Sequence, residues 1–247
     1  MDFINNNLYQ RLKLLKENNK SIKVGIVGIG KFSTMFLAQA RLTKGLRIMA
    51  LADLKYSNVQ NALKNAGFLD ASKTLVKSLK EAKSNNKIWF TEDGSELSST
   101  DELDVIIEAT GNVEAAVVHA LNAFNANSHV VMVTVEADAL CGKALFEKSL
   151  SAGVVYSMAY GDQPSLICEM VDQLRSSGME IICAGKGTKY LPEYHYSTPA
   201  TALGLHGYSN EVAKKGGLNP KMFNSFIDGT KSSIEMAVVA NATGLQV

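Results

Sequence analysis

Ile22-Lys23-Val24-Gly25-Ile26-Val27-Gly28-Ile29-Gly30-Lys31-Phe32-Ser33 is the stretch whose reading decides the fold. Its first six residues read as a buried strand, and the glycine pair Gly28 and Gly30 reads as a tight turn. Lys31 to Arg41 then repeats apolar side chains at Phe32, Met35, Phe36 and Ala40 with helical spacing. A second strand-like run, Leu46 to Ala52, ends on Asp53, 23 residues beyond Gly30. This is the GxGxxG fingerprint in its strand, turn, helix and acid context, with Ser33 in place of the last glycine. Gly28 permits the turn and Gly30 lets a pyrophosphate approach the backbone. The amides of Lys31, Phe32 and Ser33, at the start of the helix, face its negative charge. Ser33 should loosen helix packing slightly. Asp53 is expected to accept hydrogen bonds from ribose hydroxyls, which favours NAD. Lys55 and Tyr56 stand ready to shelter a 2'-phosphate, so NAD and NADP both stay open.

Working outward, Leu8 to Leu15 reads as a lead-in amphipathic helix. After Asp53 the spacing predicts helices over 58–66 and 72–82, a strand over 88–90 and another over 104–109. A helix over 113–126, a strand over 129–135, a helix over 140–151 and a strand over 154–157 follow. Near-continuous apolar strands alternating with helices require a doubly wound, mostly parallel α/β sheet of the Rossmann type. The alternation fades after Gly161, so the expected layout is an N-terminal helix (1–21), a dinucleotide-binding domain (22–160) and a smaller α+β substrate or catalytic domain (161–247).

With 247 residues, a net charge of +1, 46% hydrophobic residues and scattered basic side chains, the chain offers no electrostatic footprint for nucleic acid or a membrane surface. The lysines of 73–87 read as the solvated face of a helix. Cys141, Cys168 and Cys183 have apolar neighbours and no metal spacing, which suggests buried thiols in a reducing compartment. No run reaches the length of a membrane span, and the expected location is the cytoplasm. A small-molecule substrate and a homo-oligomeric state complete these expectations.

Further candidates sit at the expected ligand edge. In Glu108-Ala109-Thr110-Gly111-Asn112, small Thr110 and Gly111 leave room for a nicotinamide ribose; the alternative is a plain turn with Asn112 as helix cap. Glu136 and Asp138 can orient a lysine or hold a divalent cation, unless Asp138 simply caps the next helix. In the C-terminal part, Lys186 and Lys189, with Tyr190, Tyr194 and His195, follow a strand expected over 180–184. Asp228, Lys231 and Glu235 open a helix, with Asp228 as its cap and the other two on one face. A carbonyl accepting hydride needs a proton donor and a positive charge beside the developing alkoxide, and a lysine supplies both. A solvated loop and a surface ion pair are the competing readings. His119, His129 and His206 read as structural.

The motifs Val105 to Gly111, Val133 to Asp138, Gly161-Asp162-Gln163-Pro164, Gly185 to Tyr190 and Asp228 to Ser232 resemble those of homoserine-dehydrogenase-like oxidoreductases. The last three are similar to a divergent branch that includes deoxyxylulose-phosphate-reductoisomerase-like enzymes of isoprenoid precursor synthesis. The resemblance runs from Ile22 onward. Because members of the branch extend further, it implies a fragment of a longer enzyme with an incomplete catalytic domain. It also implies an NAD(P)-dependent oxidoreductase that moves hydride to or from a small polar carbonyl or alcohol, with Lys189 and Lys231 assisting proton transfer. Reductive isomerisation of a phosphorylated ketose with a bound cation is the alternative within the class, and a non-catalytic dinucleotide-sensing module the alternative outside it.

Overall fold

The computed structural model describes residues 7–188 and 190–246. Lys189, expected to be catalytic, therefore lies outside the described residues. The chain divides into two compact units, Met1–Ala159 and Tyr160–Val247.

The first unit begins with α1 (Leu8–Glu17), capped by the Asn7 side chain. It then builds a seven-stranded sheet from β1 (Ile22–Val27), β2 (Leu46–Ala52), β3 (Leu75–Val76), β4 (Ile88–Thr91), β5 (Val105–Glu108), β6 (His129–Met132) and β7 (Tyr156–Met158). Every pairing is parallel, in the order β3-β4-β2-β1-β5-β6-β7. The chain winds from β1 out to β3 and β4, then returns to the other side of β1 with β5. That reversal places a crevice at the carboxyl ends of β1 and β5, where open sheets of this kind bind ligands.

Helices cover both faces, as a parallel sheet with two apolar faces demands. On one face α2 (Lys31–Ala40) and α3 (Tyr56–Asn65) bury Leu37, Val59 and Leu63 against Ile26, Leu51 and Ile107. On the other, α6 (Gly94–Ser98), α7 (Val113–Asn125) and α8 (Val135–Ser151) bury Leu97, Ala120, Phe124 and Leu145 against Met49, Ile106 and Val130.

Several elements of the first unit depart from the sequence expectation. The helix expected over 72–82 is broken into α4 (Ala71–Thr74), the edge strand β3 and α5 (Leu79–Asn85). Asp70 and Ser78 each cap a new start, and Val76 is buried as it pairs with Trp89. β6 stops at Met132 and α8 starts at Val135, five residues before the expected position, with Thr134 at its N-cap. Asp138 is therefore inside the helix and caps nothing. Tyr156 donates to its Oδ1 at 2.6 Å.

The second unit comprises α9 (Gln163–Ser176), a 3-10 turn (Pro192–Tyr196), α10 (Pro199–Leu205), α11 (Asn210–Lys215), α12 (Pro220–Ile227) and α13 (Thr230–Thr243). Tyr194, Ala202 and Ile227 form its small core, with Phe223 and Phe226 against them. The strand expected over 180–184 is not formed. A strand needs a neighbour to bond its amides, the described residues of this unit hold no other strand, and Ile182 stays 85% exposed. Cys183 is exposed as well, contrary to the expectation of three buried thiols, while Cys141 and Cys168 are partly buried. Among the described residues no helix is long and apolar enough to cross a membrane.

Candidate functional site

The glycine turn closes β1. Gly28 has φ +88°, and a Cβ there would lie 2.6 Å from the Ala109 backbone, so glycine is required both for the conformation and for the close approach to the turn after β5. Gly30 differs: its φ is negative, it is the N-cap of α2, and a Cβ there would meet nothing within 4 Å. Its lack of a side chain leaves open space over the start of α2. The first intrahelical bond is Thr34 N–H to Gly30 O at 3.0 Å, so the amides of Lys31, Phe32 and Ser33 precede the ladder and are available to an anion.

Ser33 does more than loosen the packing. It is fully buried, and its hydroxyl donates to Gly28 O at 2.6 Å, tying the helix to the turn. Phe32 is exposed and stacks on Phe36.

Asp53 closes β2 and is tightly engaged. Its Oδ2 accepts from Ile29 N at 2.8 Å, and its Oδ1 accepts from Lys55 N and Asn58 Nδ2, each at 2.9 Å. The acid therefore holds the glycine turn from the neighbouring strand. A cavity of about 570 Å³ opens there, with Gly28, Asp53, Lys55, Asn58, Thr110 and His119 in its wall. Tyr56 packs edge-on against Phe90.

The turn after β5 is organised by Glu108, whose role its place in the sequence does not reveal. It is fully buried. Its Oε1 accepts from the Thr110 hydroxyl at 2.7 Å and lies 3.2 Å from His119 Nδ1, while Oε2 accepts from the Thr134 hydroxyl. Gly111 N in turn donates to Thr134 Oγ1 at 3.0 Å. Asn112 caps α7 by accepting from Ala115 N, so the capping alternative holds for that residue while Thr110 still lines the crevice. Glu136 is exposed on the first turn of α8 and is absent from the cavity wall. It does not converge with Asp138, whose carboxyl is pushed above its ordinary value by burial, an effect partly opposed by the Tyr156 hydrogen bond. Among the described residues no three His, Cys, Asp or Glu side chains cluster as a metal site.

In the second unit, Glu235 on α13 is fully buried between two lysines. Lys186 Nζ donates to Glu235 Oε2 and, at 2.8 Å, to Gln163 Oε1; Lys231 Nζ lies 2.8 Å from Glu235 Oε1. The i,i+4 pairing of Lys231 with Glu235 is present, but with a buried carboxylate and a third partner it is not a surface pair. Both lysines line a cavity of about 460 Å³ with Gly161, Asp162, Thr188 and Ser232. The hydroxyls of Thr188 and Ser232 are 3.0 Å apart. Asp228 stands apart from this cluster. The N-cap of α13 is Gly229, and both Asp228 oxygens are occupied, by Thr230 N and Asn224 Nδ2, each at 2.8 Å. His195 is exposed on the 3-10 turn beside Tyr196, and Tyr194 is in the core.

The first unit is thus an α/β Rossmann-type protein with an open ligand edge, and the second is a helical unit bearing a buried lysine-carboxylate-lysine cluster. Residues 161–247 match the family model described as oxidoreductase DRL, catalytic domain. Solved structures similar to the chain include myo-inositol dehydrogenase from Lactobacillus casei in complex with NAD(H) and myo-inositol (14% identity, TM-score 0.46, 64% of this chain and 42% of that one). Biliverdin reductase from Synechocystis in complex with biliverdin and NADP+ is another (16%, 0.43, 68% and 45%). A third is the WlbA dehydrogenase from Bordetella pertussis in complex with NADH and UDP-GlcNAcA (18%, 0.43, 64% and 43%). The chain spans less than half the length of each. No curated protein matches it.

Proposed function

We propose that the protein is an NAD(P)-dependent oxidoreductase that moves hydride between the nicotinamide and a carbonyl or alcohol of a small polar substrate. The observation that carries this reading is the pair of turns at the carboxyl ends of β1 and β2: an open Gly30 over free helix amides, with the Asp53 carboxylate bonded to the Ile29 amide at its flank. Diphosphate charge is met by backbone N–H groups and ribose hydroxyls by a carboxylate, so the residues present fit a dinucleotide. When bound, the coenzyme would donate or accept the hydride. The match of residues 161–247 to an oxidoreductase catalytic domain agrees with this reading.

In the second unit Lys186 and Lys231 are the groups fit to steady a developing alkoxide and deliver a proton, with Glu235 holding both ammonium groups in place. The homoserine-dehydrogenase-like assignment is the finer form of this proposal. Thermal-shift and calorimetric titration with NAD, NADP and their reduced forms test the coenzyme half, since a ligand of the native state raises apparent stability. Binding of at least one form is expected; absence of all four from the crevice would sink the reading. Nicotinamide absorbance with hydroxy-acid, homoserine and sugar-phosphate panels tests the chemistry.

A further inference from the structure

His119 combines three features that a core histidine does not need. Its side chain is nine-tenths buried on α7, Nδ1 faces the fully buried Glu108 at 3.2 Å, and the ring still lines the crevice. Glu108 accepts from the Thr110 and Thr134 hydroxyls. Thr134 donates there, because a carboxylate has no hydrogen to give, and its own oxygen accepts from Gly111 N. A carboxylate accepting on every side draws the imidazole proton to Nδ1, and the hydrogen bond at one ring nitrogen fixes the state of the other. In the neutral ring Nε2 is then left as a bare acceptor. Gly94 packs against this edge of the ring, where a Cβ would lie 2.6 Å from Nε2, and both residues line the crevice. Among the described residues no group bonds to it.

We infer that Glu108 is a positioning residue that holds His119 as the Nδ1–H tautomer, and that His119 Nε2 is an acceptor for an N–H or O–H donor of the bound dinucleotide. The same carboxylate secures the turns after β5 and β6, so one buried charge sets both the wall of the crevice and one of its contacts. This inference rests on the proposed coenzyme site.

Nitrogen-15 spectra of imidazole-labelled protein test it, with the His119 signals assigned by their loss in His119→Asn. In the free protein Nδ1 should carry the proton, and adding NAD or NADP should shift the Nε2 resonance. Glu108→Gln offers an amide N–H to Nδ1, so the tautomer should invert and coenzyme affinity should fall about tenfold, the loss of roughly one hydrogen bond. A purely structural Glu108 would weaken binding without inverting the tautomer. If neither coenzyme binds wild-type protein, the proposed function itself fails. Binding with an unmoved Nε2 resonance, or a protonated Nε2 in the free protein whether as tautomer or imidazolium, overturns this inference alone; the wild-type measurements do not require Glu108→Gln to fold.

Discussion

Asp53 accepts the Ile29 N–H at 2.8 Å, so the acid that ends β2 holds the glycine turn that ends β1. Asp53→Ala should therefore remove a ribose acceptor and also orphan the Ile29 amide. A lost hydrogen bond of this kind costs about 1–3 kcal/mol. We expect calorimetry to show coenzyme affinity falling by roughly tenfold to a hundredfold. Asp53→Asn, which retains one acceptor oxygen, should lose less. Equal affinity in wild type and Asp53→Ala would remove Asp53 from the site.

The two turn glycines should separate folding from binding. Gly28→Ala places a Cβ against the Ala109 backbone and strains a positive φ, so it should lower the unfolding free energy measured in urea melts by about 2 kcal/mol or more. Gly30→Ala meets no protein atom within 4 Å and should fold as wild type, yet its methyl group enters the space over the α2 amides and should weaken coenzyme binding. A Gly30→Ala protein that binds normally would show that no phosphate approaches there.

The strand, turn and helix of residues 22–40 were legible in the sequence because buried parallel strands and amphipathic helices carry distinct periods. Residues 72–82 misled for a physical reason: the lysines alternate with apolar side chains much as on a helix, and only the caps Asp70 and Ser78 mark the breaks around the short β3. The segment 180–184 has a strand's composition, but pairing depends on a neighbour that composition does not reveal. Lys231 and Glu235 could be paired from their spacing, whereas Lys186 joins them from 49 residues away. Glu108 carries one signal in the sequence, a charged residue closing an apolar strand, and His119 lies on the next helix, where only the fold brings them together.

Glu235 offers a direct test of the second unit. Its carboxylate is fully buried and answers two ammonium groups, Lys186 and Lys231. Glu235→Ala leaves both cations without their counter-charge, and removing one partner of a buried pair costs about 3–5 kcal/mol. The denaturation midpoint should drop accordingly, and turnover should fall with it. Lys186→Met should damage stability more than Lys231→Met, because Lys186 is the less exposed and also donates to Gln163. The reverse order in urea melts would mean that Lys186 is not held as described.

Asp138 makes a prediction about pH. Burial raises its carboxyl above the ordinary value of 3.8 despite the hydrogen bond from Tyr156. An acid with a raised folded-state pKa binds its proton more tightly when folded. Its contribution is therefore fully favourable below the unfolded value and is lost as pH rises through the folded one. At neutral pH the charged Asp138 is a net cost. Asp138→Asn keeps an oxygen for the Tyr156 hydroxyl and carries no charge, so it should be more stable than wild type at neutral pH. That advantage should shrink as pH falls towards 3.8. Urea melts of both proteins across that range decide it: a gap that is constant with pH, or one that widens on acidification, would show that burial does not govern this carboxyl.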